Sequence, residues 1–342
     1  MIHPKAWVGW GLAALVALSA TRNPLHLILL LLCIAVVYAA IGARTETAYR
    51  TISPARFALF VIPLAALFNA ATAHFGDTVL FRLPTGWPIV GGNVTLEALT
   101  FGALNGLVLV GILTAFTTLN RALPIRDLIG LIPRAFYPVA LMLSISVTYV
   151  PITLRQLEQI REAQAVRGHR VRGLRDWLPL FIPLLVGGLE RALQLAEAMT
   201  ARGFAGGGAA AQDVRARLFT ALGLGALLVG WLLRLVWGQE WVGVPLMLAG
   251  VGLIVGVLRR LGRRFPRTTY RPTPWTGRDW AIVAGAAVVA IVFSLPGLDR
   301  TALIYYPYPK LTAPGFAPLI GIASLGLLGP ALLAARIQEE RS

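Results

Sequence analysis

The 342 residues are 57% hydrophobic and only 13% charged, yet the formal net charge is +16. An average soluble domain is about 25% charged, so this chain is not one. Period-2 alternation is nearly absent, which excludes a transmembrane barrel, and no basic soluble domain with stacking aromatics is present to bind nucleic acid. What remains is an all-α polytopic membrane protein. Its Lys and Arg gather on the cytoplasmic side, facing anionic lipid.

In chain order, Trp7 to Ala20 is short and apolar, Arg22-Asn23-Pro24 breaks it, and Leu25 to Gly42 follows as the second arm of a hairpin of spans. Arg44, Arg50 and Arg56 mark a cytoplasmic link, and Phe57 to Ala73 is the third span. From Phe75 to Val94 the texture changes. Alternation at Thr78 to Leu83, then Pro84, Gly86, Pro88 and Gly91-Gly92-Asn93, predicts a small extracytoplasmic hairpin or loop. Leu96 to Leu119 is the fourth span, and Arg121, Arg126 and Arg134 return the chain to the cytoplasm.

Phe136 to Thr153 is apolar enough to cross but is basic on both sides, at Arg126 and Arg134 before it and Arg155, Arg161 and Arg167 after it. A crossing would place one basic cluster outside, so the charge bias predicts an apolar helix held at the cytoplasmic face. Leu218 to Val236, Val244 to Leu258, Trp280 to Leu295 and Phe316 to Ala335 supply four more spans, with Arg259, Arg260, Arg263, Arg264, Arg267 and Arg271 in one cytoplasmic loop. Eight spans with both termini inside then satisfy the charge rule. The expected divisions are a four-span membrane domain (1–120), a cytoplasmic coupling domain of two or three helices (121–213), a core-closing span (214–237) and additional C-terminal spans (238–342).

The stretch from Leu154 to Phe204 is the exception to this apolar texture. It carries Arg155, Glu158, Arg161, Glu162, Arg167, His169, Arg170, Arg172, Arg175 and Asp176, then Glu190, Arg191, Glu197 and Arg202. Charges at a bilayer centre cost a few kcal/mol or more each, so two polar helices are expected outside it. The first runs from about Pro151 to Val166, with Val150, Leu154, Leu157 and Ile160 as a narrow apolar stripe. The second runs from about Pro183 to Arg202, with Leu185, Leu189, Leu193 and Met199 on one face. Gly188, Ala192 and Ala196, four apart, form a stripe of small residues that lets another backbone approach. Each helix ends alike, in Val166-Arg167-Gly168 and Ala201-Arg202-Gly203. A Gly past a helix end and an Arg in its last turn are ordinary capping chemistry. Two such ends exposed to the cytoplasm also make a docking pair, since each guanidinium can fork onto a carboxylate of another protein.

Glu162-Ala163-Gln164-Ala165-Val166-Arg167-Gly168-His169, Leu189-Glu190-Arg191-Ala192 and Glu197-Ala198-Met199-Thr200-Ala201-Arg202-Gly203-Phe204 together resemble the transmembrane T-component (CbiQ-like) of energy-coupling factor (ECF) transporters. So do His3-Pro4, Arg22-Asn23-Pro24 and Ala140-Leu141-Met142-Leu143-Ser144 before Tyr149-Val150-Pro151. The likeness covers about residues 1–237. It implies that Ala201, Arg202, Gly203, Val166, Arg167 and Gly168 dock two ABC ATPase subunits. It also implies that the membrane part contacts a substrate-binding S-component, in an importer of vitamins or metal ions in the cell membrane. Val166 stands where the family usually has Ala, and Val171-Arg172-Gly173 repeats the motif, so Arg172 is a rival contact.

Nothing points to catalysis or a cofactor. No Gly-x-x-x-x-Gly-Lys-Ser/Thr is present, Gly206-Gly207-Gly208 reads as a linker, Cys33 is alone, and the four histidines lack metal-ligand spacing. The spans also lack the mid-membrane Asp, Glu or Lys of an ion-coupled carrier, Asn69 and Asn105 being read as helix–helix glue. A lipid-modifying membrane enzyme gripping phosphate with Arg170, Arg172 and Arg175 and a solo secondary carrier stay open as alternatives.

Overall fold

Proline starts many of these helices. Its missing N–H is one that a first turn leaves unpaired anyway, and its fixed φ suits the helix. It stands in the first turn of α1 (Pro4–Ala20), α3 (Pro54–Thr72), α6 (Tyr137–Val166), α7 (Leu178–Ala201) and α11 (Pro318–Ser324). The other helices are α2 (Pro24–Gly42), α4 (Leu96–Ala122), α5 (Ile125–Gly130), α8 (Val214–Val236), α9 (Glu240–Arg263) and α10 (Gly277–Ser294). The computed structural model describes residues 2–42, 53–82, 92–169, 173–204, 214–263, 274–294 and 303–333. It is an all-α polytopic membrane protein, with one two-stranded sheet among the described residues.

The chain forms two compact units, residues 1–127 with 272–342, and residues 128–271. The C-terminal part is therefore not a segment of its own. α9 belongs with α8, and residues 272–342 join the N-terminal helices.

In the first unit α1 packs on α10, α4 and α2, and its Trp7, Trp10, Ala14 and Leu18 share a core with Ile282, Ala286, Val289 and Phe293 of α10. α3 lies close along α4 because a glycine lets the backbones meet. A Cβ on Gly102 would stand 2.5 Å from the Ala65 carbonyl oxygen, and Asn69 Nδ2 donates to the Ala98 carbonyl at 2.6 Å. The C-terminal strip 303–333 is tied to the α1–α2 turn by directional bonds. Thr21 Oγ1 and the Arg22 N–H donate to the Leu303 carbonyl, and Asn23 Nδ2 donates to that of Gly315. Trp10 Nε1 donates to the Leu327 carbonyl at 2.8 Å.

Two carboxylates are completely buried at helix starts. Asp279 accepts from the His3 N–H at 2.7 Å and from the N–H and hydroxyl of Thr276. It thereby closes a capping box on α10 and pins the N-terminus to it. Glu97 accepts the Thr78 N–H with both oxygens, at 3.1 and 3.3 Å. Gly76, at φ +131°, covers it where a Cβ would stand 2.5 Å from Oε2. Glu97 thus anchors the expected hairpin, in which β1 (Val79–Arg82) pairs antiparallel with β2 (Asn93–Thr95). Helix starts favour acidic groups, and both carboxylates are consumed by backbone N–H groups.

In the second unit α8 and α9 form an antiparallel hairpin around Gly238, at φ +63°. Gly223 and Gly230 face Gly250 and Gly243. A Cβ on Gly230 would stand 2.7 Å from the Gly243 carbonyl oxygen, and one on Gly250 2.7 Å from that of Gly223. The heptad spacing of each pair keeps both contacts on one seam.

Two expected boundaries move. The break between an apolar helix ending at Thr153 and a polar one starting at Pro151 does not exist, because α6 runs unbroken through Pro151. Proline removes one hydrogen bond and bends a helix, but it does not have to end one. Likewise α7 begins at Leu178, not near Pro183, which lies inside it. Among the described residues eight helices are long and apolar enough to cross a membrane. They include α6 and α7, while α1, of 17 residues, and the Pro318–Leu333 segment, both counted among the eight expected spans, fall below that length.

Leu at Gly230 or Gly250 should cost about 1–3 kcal/mol by overpacking against backbone, seen as a lowered melting temperature of the purified chain. Leu at Gly252, which has open space around it, should leave the melt unchanged. Asp279→Ala leaves the His3 and Thr276 donors unpaired and should cost about 1–3 kcal/mol, with faster proteolysis ahead of α1 as the local readout.

Candidate functional site

The ends of α6 and α7 are built alike. Arg167 caps α6 at φ −80°, ψ 8°, and Arg202 caps α7 at φ −87°, ψ 6°. Gly168 and Gly203 follow, both at φ +79°. The Gly168 N–H donates to the Ala165 carbonyl and the His169 N–H to that of Gln164, both at 2.9 Å, which is a Schellman closure. At the second end the Gly203 N–H donates to the Thr200 carbonyl at 2.9 Å. Nothing lies within 4 Å of a Cβ on either glycine. The glycines are therefore there for their left-handed backbone and not for close packing.

These ends are open. Val166 is 90% exposed, and Arg167, Gly168, Ala201, Arg202 and Gly203 are exposed with it. Among the described residues neither Arg167 nor Arg202 has an ion-pair partner. Each guanidinium stands free at the negative end of its helix dipole, with its donor fork unused. Beyond α6 the chain is folded back by His169 Nε2 against the Asp176 carbonyl at 2.8 Å and by the Gly173 N–H on Asp176 Oδ2. Arg170 and Arg172 lie outside the described residues, as does the Gly206–Gly208 run, and nothing is described of the Arg175 side chain.

α6 and α7 meet at a polar crossing that the sequence reading missed. Arg191 donates through Nε to the Gly187 carbonyl of its own helix at 2.9 Å and through its guanidinium to Gln156 Oε1 of α6. A Cβ on Gly187 would stand 2.5 Å from Gln156 Nε2. The closest approach is thus at Gly187. Gly188 is half-buried with nothing within 4 Å, Ala192, Ala196 and Leu189 stay on the exposed side, and Leu157 is half-buried on α6. One residue turns a helix face by about 100°, so choosing between adjacent glycines decides the face. Arg191, four residues after Gly187, was the signal that marks it. A cavity of about 500 Å³ opens at this crossing, lined by Ile152, Arg155, Gln159 and Glu190 besides Gln156 and Gly187.

Only 6% of each of these two helices' apolar windows is buried within the chain, against 44% for α4. Their surface is left for lipid or for other chains. Among the described residues no group of three or more His, Cys, Asp or Glu is placed to hold a metal.

Residues 3–213 match the family described as CbiQ, cobalt transport protein. The chain is 34% identical over 170 residues to the energy-coupling factor transporter transmembrane protein EcfT of Exiguobacterium sibiricum, covering 46% of this chain and 57% of that one. It is 31% identical over 169 residues to EcfT 1 of Listeria monocytogenes (44% and 58%) and 33% identical over 165 residues to EcfT of Bacillus subtilis (44% and 60%). It therefore spans less than two thirds of the length of each of these relatives.

Gly168→Ala and Gly203→Ala should each destabilise the helix end by about 1 kcal/mol. Hydrogen exchange at the Gly168, His169 and Gly203 amides should then quicken about fivefold. Gly188→Ala, in ordinary helical backbone with free space, should slow exchange along α7 or leave it unchanged.

Proposed function

This chain belongs to the CbiQ family, the T-components of energy-coupling factor transporters, and we propose that it couples ATP hydrolysis on two partner ABC ATPases to a substrate-binding S-component in the cell membrane. The observation that carries the reading is the pair of matching Arg-Gly helix ends, each exposed and each with an unspent guanidinium. One such end is a common cap. Two with the same backbone angles, on helices that lean on each other, are suited to grip two copies of one kind of surface.

Val166, Arg167 and Gly168 dock one ATPase, and Ala201, Arg202 and Gly203 the other. Each Arg forks onto a carboxylate in a groove of its ATPase, and the left-handed glycine lets the chain turn away so that the helix end can enter. The Gln156–Arg191 bond and the close approach at Gly187 hold α6 and α7 together, so a change in spacing between the ATPases re-angles the helices. The exposed face of α7, with Leu189, Ala192 and Ala196 and the neighbouring Gly188, then moves against the S-component. ATP hydrolysis lies on the partners, the chain itself being a non-catalytic subunit. The substrate, a vitamin or a metal ion, is chosen by the S-component.

This assignment puts the α6 and α7 ends, and both termini, in the cytoplasm. The basic end of the α8–α9 hairpin, with Arg215, Arg217, Arg259, Arg260 and Arg263, supports that orientation, since its other end has no Lys or Arg between Val236 and Pro245.

Co-purification of the ATPases with Arg167→Ala plus Arg202→Ala tests the reading. Loss of a desolvated charge pair should weaken binding by about 2–5 kcal/mol per Arg, so the complex should fall apart in detergent while the chain's own melt is unchanged. Full assembly and undiminished uptake with the double variant would sink the proposal.

A further inference from the structure

α8 and α9 are both apolar enough to span a bilayer, and their antiparallel pairing brings the start of one beside the end of the other. Toward that end, past the Gly223–Gly250 contact, a cavity of about 650 Å³ lies between them. Its lining is mixed, with the apolar side chains of Val214, Phe219, Val257 and Leu261 beside two arginines, Arg215 and Arg260. The volume lies within the range of small-ligand sites, about 300–1,000 Å³.

The charges here have the wrong sign for the helices alone. Arg215 is the second residue of α8, whose first turn contains no acidic residue. The start of a helix is its positive end, so a cation there is repelled. Arg260 suits the end of α9, yet the pairing of the helices sets it on the same cavity as Arg215. Among the described residues neither arginine has an ion-pair or hydrogen-bond partner. Among the described residues two guanidinium forks thus line one space at the start of α8 with no carboxylate beside them, and a phosphate is the group that such an arrangement binds. The apolar side chains distinguish the occupant further. Inorganic phosphate has no use for Phe219, Val257 and Leu261, whereas an acyl chain does. Basic pockets between membrane helices on the cytoplasmic side suit anionic phospholipid headgroups.

We propose that the space between the start of α8 and the end of α9 is a binding site for an anionic phospholipid. Its phosphodiester lies on Arg215 and Arg260, and the top of one acyl chain lies along Phe219, Val257 and Leu261. The site needs only that α8 and α9 lie in a bilayer. It does not rest on ATPase docking, and its loss leaves Arg167 and Arg202 untouched.

The test uses the full chain purified in detergent, offered phosphatidylglycerol and phosphatidylcholine of equal chain length, with bound lipid counted by native mass spectrometry. Wild type should retain phosphatidylglycerol in preference, and Arg215→Gln and Arg260→Gln should each lower its affinity about fivefold. Arg56→Gln, at the start of α3, should not. Arg215→Lys with Arg260→Lys should keep part of the preference, and this pair together with the wild-type competition decides the matter if the Gln variants do not fold. Equal retention of both lipids by wild type overturns the proposal, as does an equal loss in Arg56→Gln, which would mean unspecific surface charge. Displacement of the lipid by excess inorganic phosphate overturns it too, assigning the site to free phosphate.

Discussion

The fold depends on close backbone approach at small residues. Its long helices are apolar on most sides, and lipid is as apolar as leucine, so burial alone does not choose a helix's neighbour. Backbone proximity does. Gly102 against Ala65, Gly230 against Gly243, Gly223 against Gly250 and Gly285 against Gly326 all set a missing side chain opposite a carbonyl oxygen. The gain is many dispersion contacts at short range, and the selectivity comes from there being no room for anything larger.

Polar groups then fix what packing leaves free. Asp279, Glu97, Asn23, Thr21 and Trp10 each spend their hydrogen-bonding capacity on backbone far away in sequence. In an apolar environment an unpaired group is expensive, so each bond has essentially one acceptable geometry. The buried carboxylates are consequently fasteners and not stations on an ion path. They also explain the C-terminal helix and strip, which close the core of the N-terminal unit.

α6 and α7 follow the opposite rule. α6 and α7 spend little on the rest of the chain and hold each other through Gln156, Gly187 and Arg191. Elements with few buried contacts are those free to move or to be covered by partners. α6 and α7 are two long helices joined by a sparse polar contact, each with an open Arg-Gly end.

The sequence alone determined the membrane class, the change from helical to strand-like texture after Phe75, most helix positions and the two Arg-Gly ends. Long apolar runs, alternation and the pairing of Arg with Gly are local signals that need no partner to be read. It was misled at Pro151 and Pro183, since a proline removes one hydrogen bond and bends a helix without having to end it. Tertiary structure alone decided which face of each helix is covered. Gly187 rather than Gly188 is the contact, Asp279 and Glu97 are caps, and residues 277–294 and 303–333 complete the first core. Apolar helices carry no amphipathic stripe to betray their inner face, and bonds between residues nearly three hundred positions apart leave no trace in either local stretch.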